Sequence, residues 1–175
     1  MLIIFGGLPG SGKTTIARAL AKELGAVHLR IDTIEQNIRA SGMLSSEVGP
    51  AGYMVGYGIA EDNLTLGNIV VADSVNPLKV TRDAWLSVAA RSGVPAVEIE
   101  IICSDRNEHR RRVETRVSDV PGLVKPRWEE VTAHDYEAWG QSPVTIDTAK
   151  QGVDEAVVAL LSKLETGRYQ KVWEV

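Results

Sequence analysis

Short apolar runs alternate along the chain with longer segments in which apolar residues recur at the period of a helix. Five of these runs are rich in β-branched residues and predict strands at Leu2–Phe5, Val27–Ile31, Ile69–Ala72, Val97–Ile102 and Val144–Ile146. Strands that are separated by helix-length segments are joined by crossover connections, and crossovers favour parallel pairing. The pattern therefore predicts an α/β protein built on a parallel sheet.

The first helix-length segment, Lys13–Leu24, carries apolar residues on one face and is followed by Gly25, a residue type that commonly ends helices. The loop from Ser41 to Gly52 contains several glycines and Pro50, which suits a mobile cover over a ligand. Further helices are predicted at Asp32–Ala40, Tyr53–Leu66, Val80–Arg91, Asp105–Arg116, Trp128–Trp139 and Asp154–Leu164.

Length and charge narrow the functional classes. A chain of 175 residues is expected to form one domain over residues 1–175. Its 19 basic and 23 acidic residues give a net charge of -4, which provides no general attraction to nucleic acid or to an anionic membrane. The apolar start is cut off by two glycines, and the single cysteine, Cys103, has no partner for an intramolecular disulfide. We therefore expect a cytoplasmic monomer or homodimer without a membrane partner.

A glycine-rich motif directly follows the first predicted strand and opens the first predicted helix. It reads Gly7-Leu8-Pro9-Gly10-Ser11-Gly12-Lys13-Thr14 and has the spacing of a phosphate-binding loop. Its backbone N–H groups and the positive end of the helix dipole would hold an anion, with Lys13 at the outer phosphates and Thr14 on Mg²⁺. A turn without a ligand is disfavoured because both flanks match. The predicted nucleotide-binding residues, with ATP and Mg²⁺ as cofactors, are Gly7, Pro9, Gly10, Ser11, Gly12, Lys13, Thr14 and Thr15.

Two acidic residues stand at the carboxyl ends of predicted strands, where ligands bind in open α/β sheets. Asp73 ends the run Asn68–Asp73 and is predicted to hold Mg²⁺ opposite Thr14, although a turn aspartate would look the same. Asp32 follows the second strand. It is either the N-cap of the next helix or the group that accepts the proton of a hydroxyl during phosphoryl transfer. The sequence leaves both interpretations of Asp32 open.

The segment from Asp105 to Arg116 concentrates positive charge in an otherwise acidic chain. Arg112 and Arg116 lie four residues apart, so they would share a helix face that closes over the phosphates. The alternative for any single arginine is a solvated position, with Glu108 paired to Arg112. For the segment as a whole, we expect a lid.

Aromatic residues and the C-terminus give weaker signals. Trp128, Tyr136 and Trp139 lie on a predicted helix and would either stack on a base or, as is more common, pack against the core. The segment from Arg168 to Val175 would either pack on the domain or contact a second subunit.

With these residues in place, the chain resembles the small P-loop kinases. The similarity is to a bacterial group of predicted kinases with an AAA-type ATP-binding domain, related to polynucleotide kinase, chloramphenicol phosphotransferase and zeta toxins. It rests on the phosphate loop, on Asp32 and Asp73, on Asn76 and Arg82, on His109 to Arg116, and on Asp147-Thr148-Ala149. The resemblance implies a three-layer fold, with a five-stranded parallel sheet in the order 2-3-1-4-5, helices on both faces and a helical lid.

The same resemblance implies roles for individual residues. Asp32 would be the base at the acceptor site, Arg112 and Arg116 would be lid residues near the phosphates, and the loop after Asp147 would lie near adenine. The acceptor itself does not carry over, because related kinases use these positions for very different molecules. A cover from about Ser41 to Gly67 would supply acceptor specificity.

Together these patterns predict a phosphotransferase that moves the γ-phosphoryl group of Mg·ATP to a hydroxyl of a small molecule. Its predicted catalytic residues are Lys13, Asp32, Arg112 and Arg116. One alternative is a kinase for the 5′-hydroxyl end of a nucleic acid, against which the net charge argues mildly. Another is a nucleotide-gated binding module, which would have no need of an acid at Asp32.

Overall fold

The computed structural model describes residues 1–43, 47–140 and 143–165. Residues 44–46 of the predicted cover and the predicted C-terminal contact segment, 168–175, lie outside this part. Its strands are β1 (Leu2–Gly6), β2 (Val27–Arg30), β3 (Val70–Asp73), β4 (Ala96–Ile102) and β5 (Val144–Asp147). Its helices are α1 (Lys13–Leu24), α2 (Ile31–Ala40), α3 (Ala51–Thr65), α4 (Lys79–Arg91), α5 (Arg106–Thr115), α6 (Trp128–Thr132) and α7 (Val153–Glu165).

The five strands form one parallel sheet in the order β2-β3-β1-β4-β5, which confirms the predicted architecture. The register pairs Phe5 of β1 with Asp73 of β3, and Asp73 with Arg30 of β2. Ile102 of β4 pairs with Asp147 of β5. The carboxyl ends of all five strands therefore meet at one edge of the sheet, as expected for a ligand site in this fold.

Two apolar clusters cover the two faces of the sheet, because successive side chains of a strand point to opposite sides. On β1, Ile3 and Phe5 pack with α1 and α7, whereas Leu2 and Ile4 pack with α3 and α4. All four side chains are completely buried. The central strand is apolar on both faces, which is typical of a parallel sheet between two helical layers.

The predicted helix Trp128–Trp139 is wrong beyond its first turn, since α6 ends at Thr132. The following backbone forms hydrogen bonds elsewhere: Glu137 N donates to Pro77 O at 2.8 Å, and Arg82 donates to the carbonyls of Glu137 and Ala138 at 3.1 Å. The Arg82 guanidinium lies over the Trp139 ring, with Arg82 Cζ 4.8 Å from the ring centroid. The aromatic residues of this segment pack against the protein, as the favoured interpretation predicted.

No helix in the described ranges has the length and apolar character needed to cross a bilayer.

Candidate active site

The phosphate loop turns from β1 into α1 at the carboxyl edge of the sheet. Gly7, Gly10 and Gly12 all have positive φ angles, of 140°, 85° and 95°. A side chain at Gly7 would place its Cβ 2.2 Å from the backbone oxygen of Ile101. The Gly7 N–H donates to Val75 O at 3.1 Å, so this glycine anchors the loop instead of offering its N–H to an anion. The first N–H groups of α1, from Lys13 onward, have no partner within the helix and remain for a ligand.

Two contacts from distant segments hold the loop in shape. His109 of α5 donates from Nε2 to the carbonyl of Pro9 at 2.9 Å. The Thr148 hydroxyl donates to the carbonyl of Ser11 at 2.7 Å. The Ser11 hydroxyl is buried and has no partner within the described residues. His109 was part of the motif that carried the family resemblance, but its role as an anchor for the loop follows only from the fold.

A cavity of about 400 Å³ opens beside the loop, and we call it the cationic cavity. Five of its lining side chains are cationic and one, Asp119, is a carboxylate. It therefore suits a multiply charged anion such as a nucleotide triphosphate. The cavity is lined by Leu8, Gly10, Gly12, Lys13, Thr14, Thr15, Arg18, Arg30, Arg112, Arg116, Val117 and Asp119. Of the predicted nucleotide-binding residues, Gly7, Pro9 and Ser11 are absent from this lining and support the loop from behind.

The structure brings Arg112 and Arg116 to the cationic cavity but gives them different surroundings. Arg112 pairs with Glu108 at 2.7 Å and donates to the Thr148 hydroxyl at 2.8 Å. Arg116 is the C-terminal cap of α5, one residue after its last helical residue, and its N–H donates to the carbonyl of Arg112 at 3.0 Å. Its Nε is buried without a partner among the described residues. Burial lowers the pKa of Arg116, and the nearby Asp32 partly offsets this effect.

Arg18 and Arg30 bring two further cations that the sequence analysis did not place at the phosphates. Both donate to Asp119, at 2.6 and 2.7 Å respectively. These two arginines lower the pKa of Asp119, so the carboxylate is ionised across the physiological range. Asp119 is half exposed and belongs to the segment after α5. Sequence spacing gave no signal for this contact because 89 and 101 residues separate the partners.

Asp73 is buried at the end of β3, directly opposite the phosphate loop. It accepts a hydrogen bond from the Thr14 hydroxyl at 3.3 Å and lies 3.9 Å from the Lys13 ammonium. His28 of β2 also approaches it, with Nε2 3.2 Å from Oδ2. Burial raises the pKa of Asp73, but Lys13, His28 and Thr14 outweigh burial, so its pKa lies below the ordinary value. The sequence analysis paired Asp73 with Thr14 correctly and missed His28.

Asp32 lies in the first turn of α2, and its interpretation as the N-cap is wrong. The N-cap is Arg30, and no side chain caps this helix. The helix begins earlier than predicted because the buried Ile31 already adopts helical geometry. The Asp32 carboxylate is instead directed at Arg30, at 3.4 Å. It is therefore free of a capping role and reaches the border of the cationic cavity.

A second and larger cavity, of about 520 Å³, lies on the other side of Asp32, and we call it the apolar cavity. Helices α2, α3 and α4 form its walls, and the end of β3 forms its floor. Its lining is Ile31, Asp32, Glu35, Gly49, Pro50, Tyr53, Met54, Tyr57, Ser74, Val75, Pro77, Leu78, Val80, Thr81, Ala84 and His134. The predicted cover around Pro50 does border this cavity, whereas Glu35, Tyr53 and Tyr57 were not singled out from the sequence.

A third cavity, of about 260 Å³, lies beside Gly12 on the side of the last strand. Arg112, Thr148, Gln151 and Gly152 border it, so the loop after Asp147 does lie next to the phosphate loop. Asp147 shapes this loop by accepting hydrogen bonds from the backbone and the hydroxyl of Ser104. The place that the family resemblance implies for adenine is thus an open space in the structure.

A comparison with protein families identifies the chain. A family model described as an AAA domain matches residues 2–133, a range that includes the phosphate loop, Asp32, Asp73 and α5. The chain belongs to the AAA domain family. Within this family, the predicted resemblance to the small P-loop kinases is confirmed, since kinases of the same fold are among the structures most similar to this AAA domain.

Two curated proteins are similar in sequence to this AAA domain. One is a probable bifunctional SAT/APS kinase 2 of Sorangium cellulosum, 25% identical over 180 residues that include 94% of the chain. The other is a replication factor C large subunit of Pyrobaculum arsenaticum, 32% identical over 74% of the chain. The chain spans only 28% and 29% of the lengths of these relatives, so it corresponds to one part of each of them.

Three solved structures show the same fold over almost the whole chain. A proposed kinase from Chloroflexus aurantiacus superposes with a TM-score of 0.72 at 21% identity, covering 95% of this chain and 96% of that one. A sugar kinase from a Janibacter species has a TM-score of 0.68 at 17% identity, covering 94% of each chain. The APS kinase of Mycobacterium tuberculosis in complex with AMPPNP and APS has a TM-score of 0.64 at 20% identity, covering 94% and 96%. At these identities the similarity is one of fold.

Proposed function

We propose that this AAA domain is an ATP-dependent phosphotransferase that moves the γ-phosphoryl group of Mg·ATP to a hydroxyl of a small molecule. The observation that carries the proposal is the position of Asp32. This carboxylate lines the apolar cavity and also contacts Arg30, which lines the cationic cavity. An acid at the border between a phosphate site and a second cavity is where a phosphotransferase needs its base.

The cationic cavity supplies the charge that phosphoryl transfer requires. Negative charge on the transferring group is spread over three oxygens, so catalysis rests on positioned cations more than on covalent chemistry. Lys13 is held at the base of the cavity by its contact with Asp73. Arg112 enters from α5 and Arg116 from the residue after it, which lets both reach the outer phosphates.

Thr14 and Asp73 present a hydroxyl and a carboxylate to the same point, and both are hard oxygen donors of the kind that Mg²⁺ prefers. The described residues contain no group of three or more metal-binding side chains. A metal with two protein oxygens and further oxygens from phosphates and water fits this donor set. Thr14 and Asp73 would hold Mg²⁺, whose positive charge would neutralise part of the phosphate charge.

Asp32 is the proposed base. The acceptor hydroxyl loses its proton to the Asp32 carboxylate while its oxygen forms a bond to the γ-phosphorus. The bond from that phosphorus to the bridging oxygen breaks, and ADP leaves with the bond's electron pair. The Arg30 contact keeps the Asp32 carboxylate turned toward the cationic cavity, which would help to position the hydroxyl for attack.

The comparisons support this proposal at the level of the reaction class. The Mycobacterium protein is an APS kinase whose structure was solved in complex with AMPPNP and APS. The third cavity, beside Thr148, is the proposed place of adenine. Cytoplasmic location and a monomeric or homodimeric state stay predictions.

The test measures ADP formation and phosphoryl transfer with pools of sugars, nucleosides, amino alcohols and a 5′-hydroxyl oligonucleotide. Lys13→Met should reduce turnover by about a thousandfold, since it removes a positioned cation. Asp32→Asn should retain ATP binding and lose turnover by about a hundredfold or more. Glu23→Gln, an exposed change on α1, is the control that should behave as the wild type.

Two outcomes would contradict the proposal in different ways. Full turnover in Asp32→Asn would remove Asp32 as the base and leave the phosphate site standing. ATP binding without stimulation by any pool would favour the nucleotide-gated module instead.

A further inference from the structure

We propose that the acceptor is an amino alcohol with an apolar or aromatic body, bound in the apolar cavity with its hydroxyl at Asp32 and its ammonium group at Glu35. This inference rests on the proposed phosphotransfer and names the substrate class for the same site. It follows from the shape, the walls and the charges of that cavity.

The walls of the cavity are apolar because its aromatic residues direct their polar atoms elsewhere. The Tyr57 hydroxyl donates to the carbonyl of Thr81 at 3.2 Å, and the Tyr53 hydroxyl accepts from the N–H of Asn76 at 3.3 Å. The Tyr57 ring is also fixed edge-on against Trp85, with centroids 4.5 Å apart. Two held rings and the side chains of α4 therefore present carbon surface to a ligand. A volume of about 520 Å³ suits a small molecule with one ring.

The carboxylates that line the apolar cavity give its surface a negative charge. Asp32 and Glu35 are its two carboxylates, and among the lining residues that the structure describes there is neither a lysine nor an arginine. An anionic acceptor would lose its hydration here without gaining a cation, which is strongly unfavourable. A cationic acceptor would meet two carboxylates in a largely apolar setting, where charge-assisted hydrogen bonds are strong.

Glu35 has the position of a recognition residue. It lies three residues after Asp32 on α2, so the two carboxylates share a helix face. A spacing of this kind matches a hydroxyl and an amine that are separated by a few bonds. Gly52 of α3 makes room for it, since a Cβ there would stand 2.3 Å from Glu35 Cγ.

The contact that Glu35 makes within the protein is weak enough to be exchanged. Arg39 approaches it at 3.5 Å from an exposed position on the same helix. A long ion pair whose cation is half exposed contributes little. An ammonium group inside the cavity would replace Arg39 at a shorter distance and with less competition from water.

The experiment compares three alcohols that share a phenyl ring and one hydroxyl but differ in charge: phenylalaninol, phenylpropanol and phenyllactate. Binding is measured first, by ligand-observed NMR with the full chain and AMPPNP, because binding does not depend on turnover. We expect phenylalaninol to bind about tenfold more tightly than phenylpropanol, and phenyllactate to show no binding. Transfer from ATP is then measured with the same three compounds.

Glu35→Gln is the decisive variant, and Glu23→Gln on α1 is its matched control. In Glu35→Gln the tenfold preference for phenylalaninol over phenylpropanol should disappear, while binding of phenylpropanol and of AMPPNP stays at the wild-type level. Equal binding of all three alcohols, preference for phenyllactate, absence of binding by phenylalaninol, or a preference unchanged in Glu35→Gln would overturn the inference. Glu35-dependent binding of phenylalaninol without transfer would show an ammonium site at Glu35 but overturn the inference that an amino alcohol is the acceptor. Transfer to phenyllactate alone would support the proposed phosphotransfer and overturn the inference.

Discussion

The cationic cavity and the apolar cavity lie side by side at one edge of the sheet, yet they are built in opposite ways. Half of the residues that line the first belong to the phosphate loop and the start of α1, between Leu8 and Thr15, and distant arginines are added to them. The second is made by side chains of three helices and has no continuous motif. Backbone groups can bind only what every nucleotide shares, whereas side chains can adapt to one acceptor. Under the proposed function, the first cavity would therefore set the reaction class and the second the acceptor.

The change with the largest expected effect adds a side chain at Gly7, in the tight turn of the phosphate loop. Gly7→Ala would place a Cβ 2.2 Å from the backbone oxygen of Ile101, at a φ of 140°. Neither strand can move without losing ladder bonds, so we expect a loss of about 3 kcal/mol in unfolding free energy and no ATP binding. Thermal denaturation and calorimetric titration with ATP would measure both.

Gly58→Ala is the control for that change. Gly58 lies inside α3, with no atom within 4 Å of a Cβ added there. Alanine should raise the stability by about 0.5–1 kcal/mol and leave ATP binding unaffected. Wild-type ATP binding in Gly7→Ala would show that the loop does not depend on its tight turn.

A smaller effect separates the two arginines of the cationic cavity. Arg116→Met removes a guanidinium for which the described residues contain no ion pair, so stability without nucleotide should be unchanged while turnover falls about a hundredfold. Arg112→Met should lower turnover too, but it should also destabilise the apo protein by about 1–2 kcal/mol, because bonds to Glu108 and Thr148 are lost. Steady-state kinetics and thermal denaturation on both variants would check this contrast. Arg116→Lys should recover part of the turnover, and loss of stability in Arg116→Met would contradict the assignment.

The smallest expected effect lies in the apolar cavity and depends on pH. Burial, opposed by Arg39 and assisted by Asp32, raises the pKa of Glu35 above its ordinary value of 4.5. The folded state then holds this proton more tightly than the unfolded state, so the contribution of Glu35 to stability falls as the pH rises above 4.5. Glu35→Gln should match the wild type below this pH and exceed its Tm by about 1–2 °C at pH 7.

Glu108 serves as the comparison, because its pKa is shifted in the opposite direction from that of Glu35. Its hydrogen bonds with Arg111 and Arg112 lower its pKa to about 2. Its contribution is present above pH 4.5 and is lost as the pH falls toward 2, so Glu108→Gln should lower the Tm at pH 7. Melting curves of both variants from pH 3 to pH 8 would measure the two signs, and a Glu35→Gln variant that is less stable than the wild type at pH 7 would contradict the first.

The fold could be predicted from the sequence because its signals are local. Apolar runs and the glycine after α1 located the strands and the first helix, and α6 was the helix predicted furthest beyond its end. That error arose because Arg82 and Pro77, distant in sequence, take the hydrogen bonds that a longer helix would have made. Helical periodicity contains no information about such partners.

The same distinction between local signals and distant partners applies to the site. Lys13, Thr14 and Asp73 were predicted from a motif and a strand end, and the structure brings them together. His28 and Asp119 were missed because each acts through a partner more than 40 residues away. Asp32 was placed correctly after β2, but only the start of α2 at Ile31 decided against its capping role.

Asn76 connects the elements that support the two cavities. With a φ of 48° and a fully buried side chain, it donates to the carbonyl of Phe5 at 2.7 Å and accepts from Trp85 at 3.1 Å. One amide thus links the strand before the phosphate loop to α4, the helix that forms a wall of the apolar cavity. We therefore expect the floor of the site to be more rigid than the outer helices α2 and α3. Amide hydrogen exchange should accordingly be slow in the strands and in α4 around Asn76, and faster in helices α2 and α3.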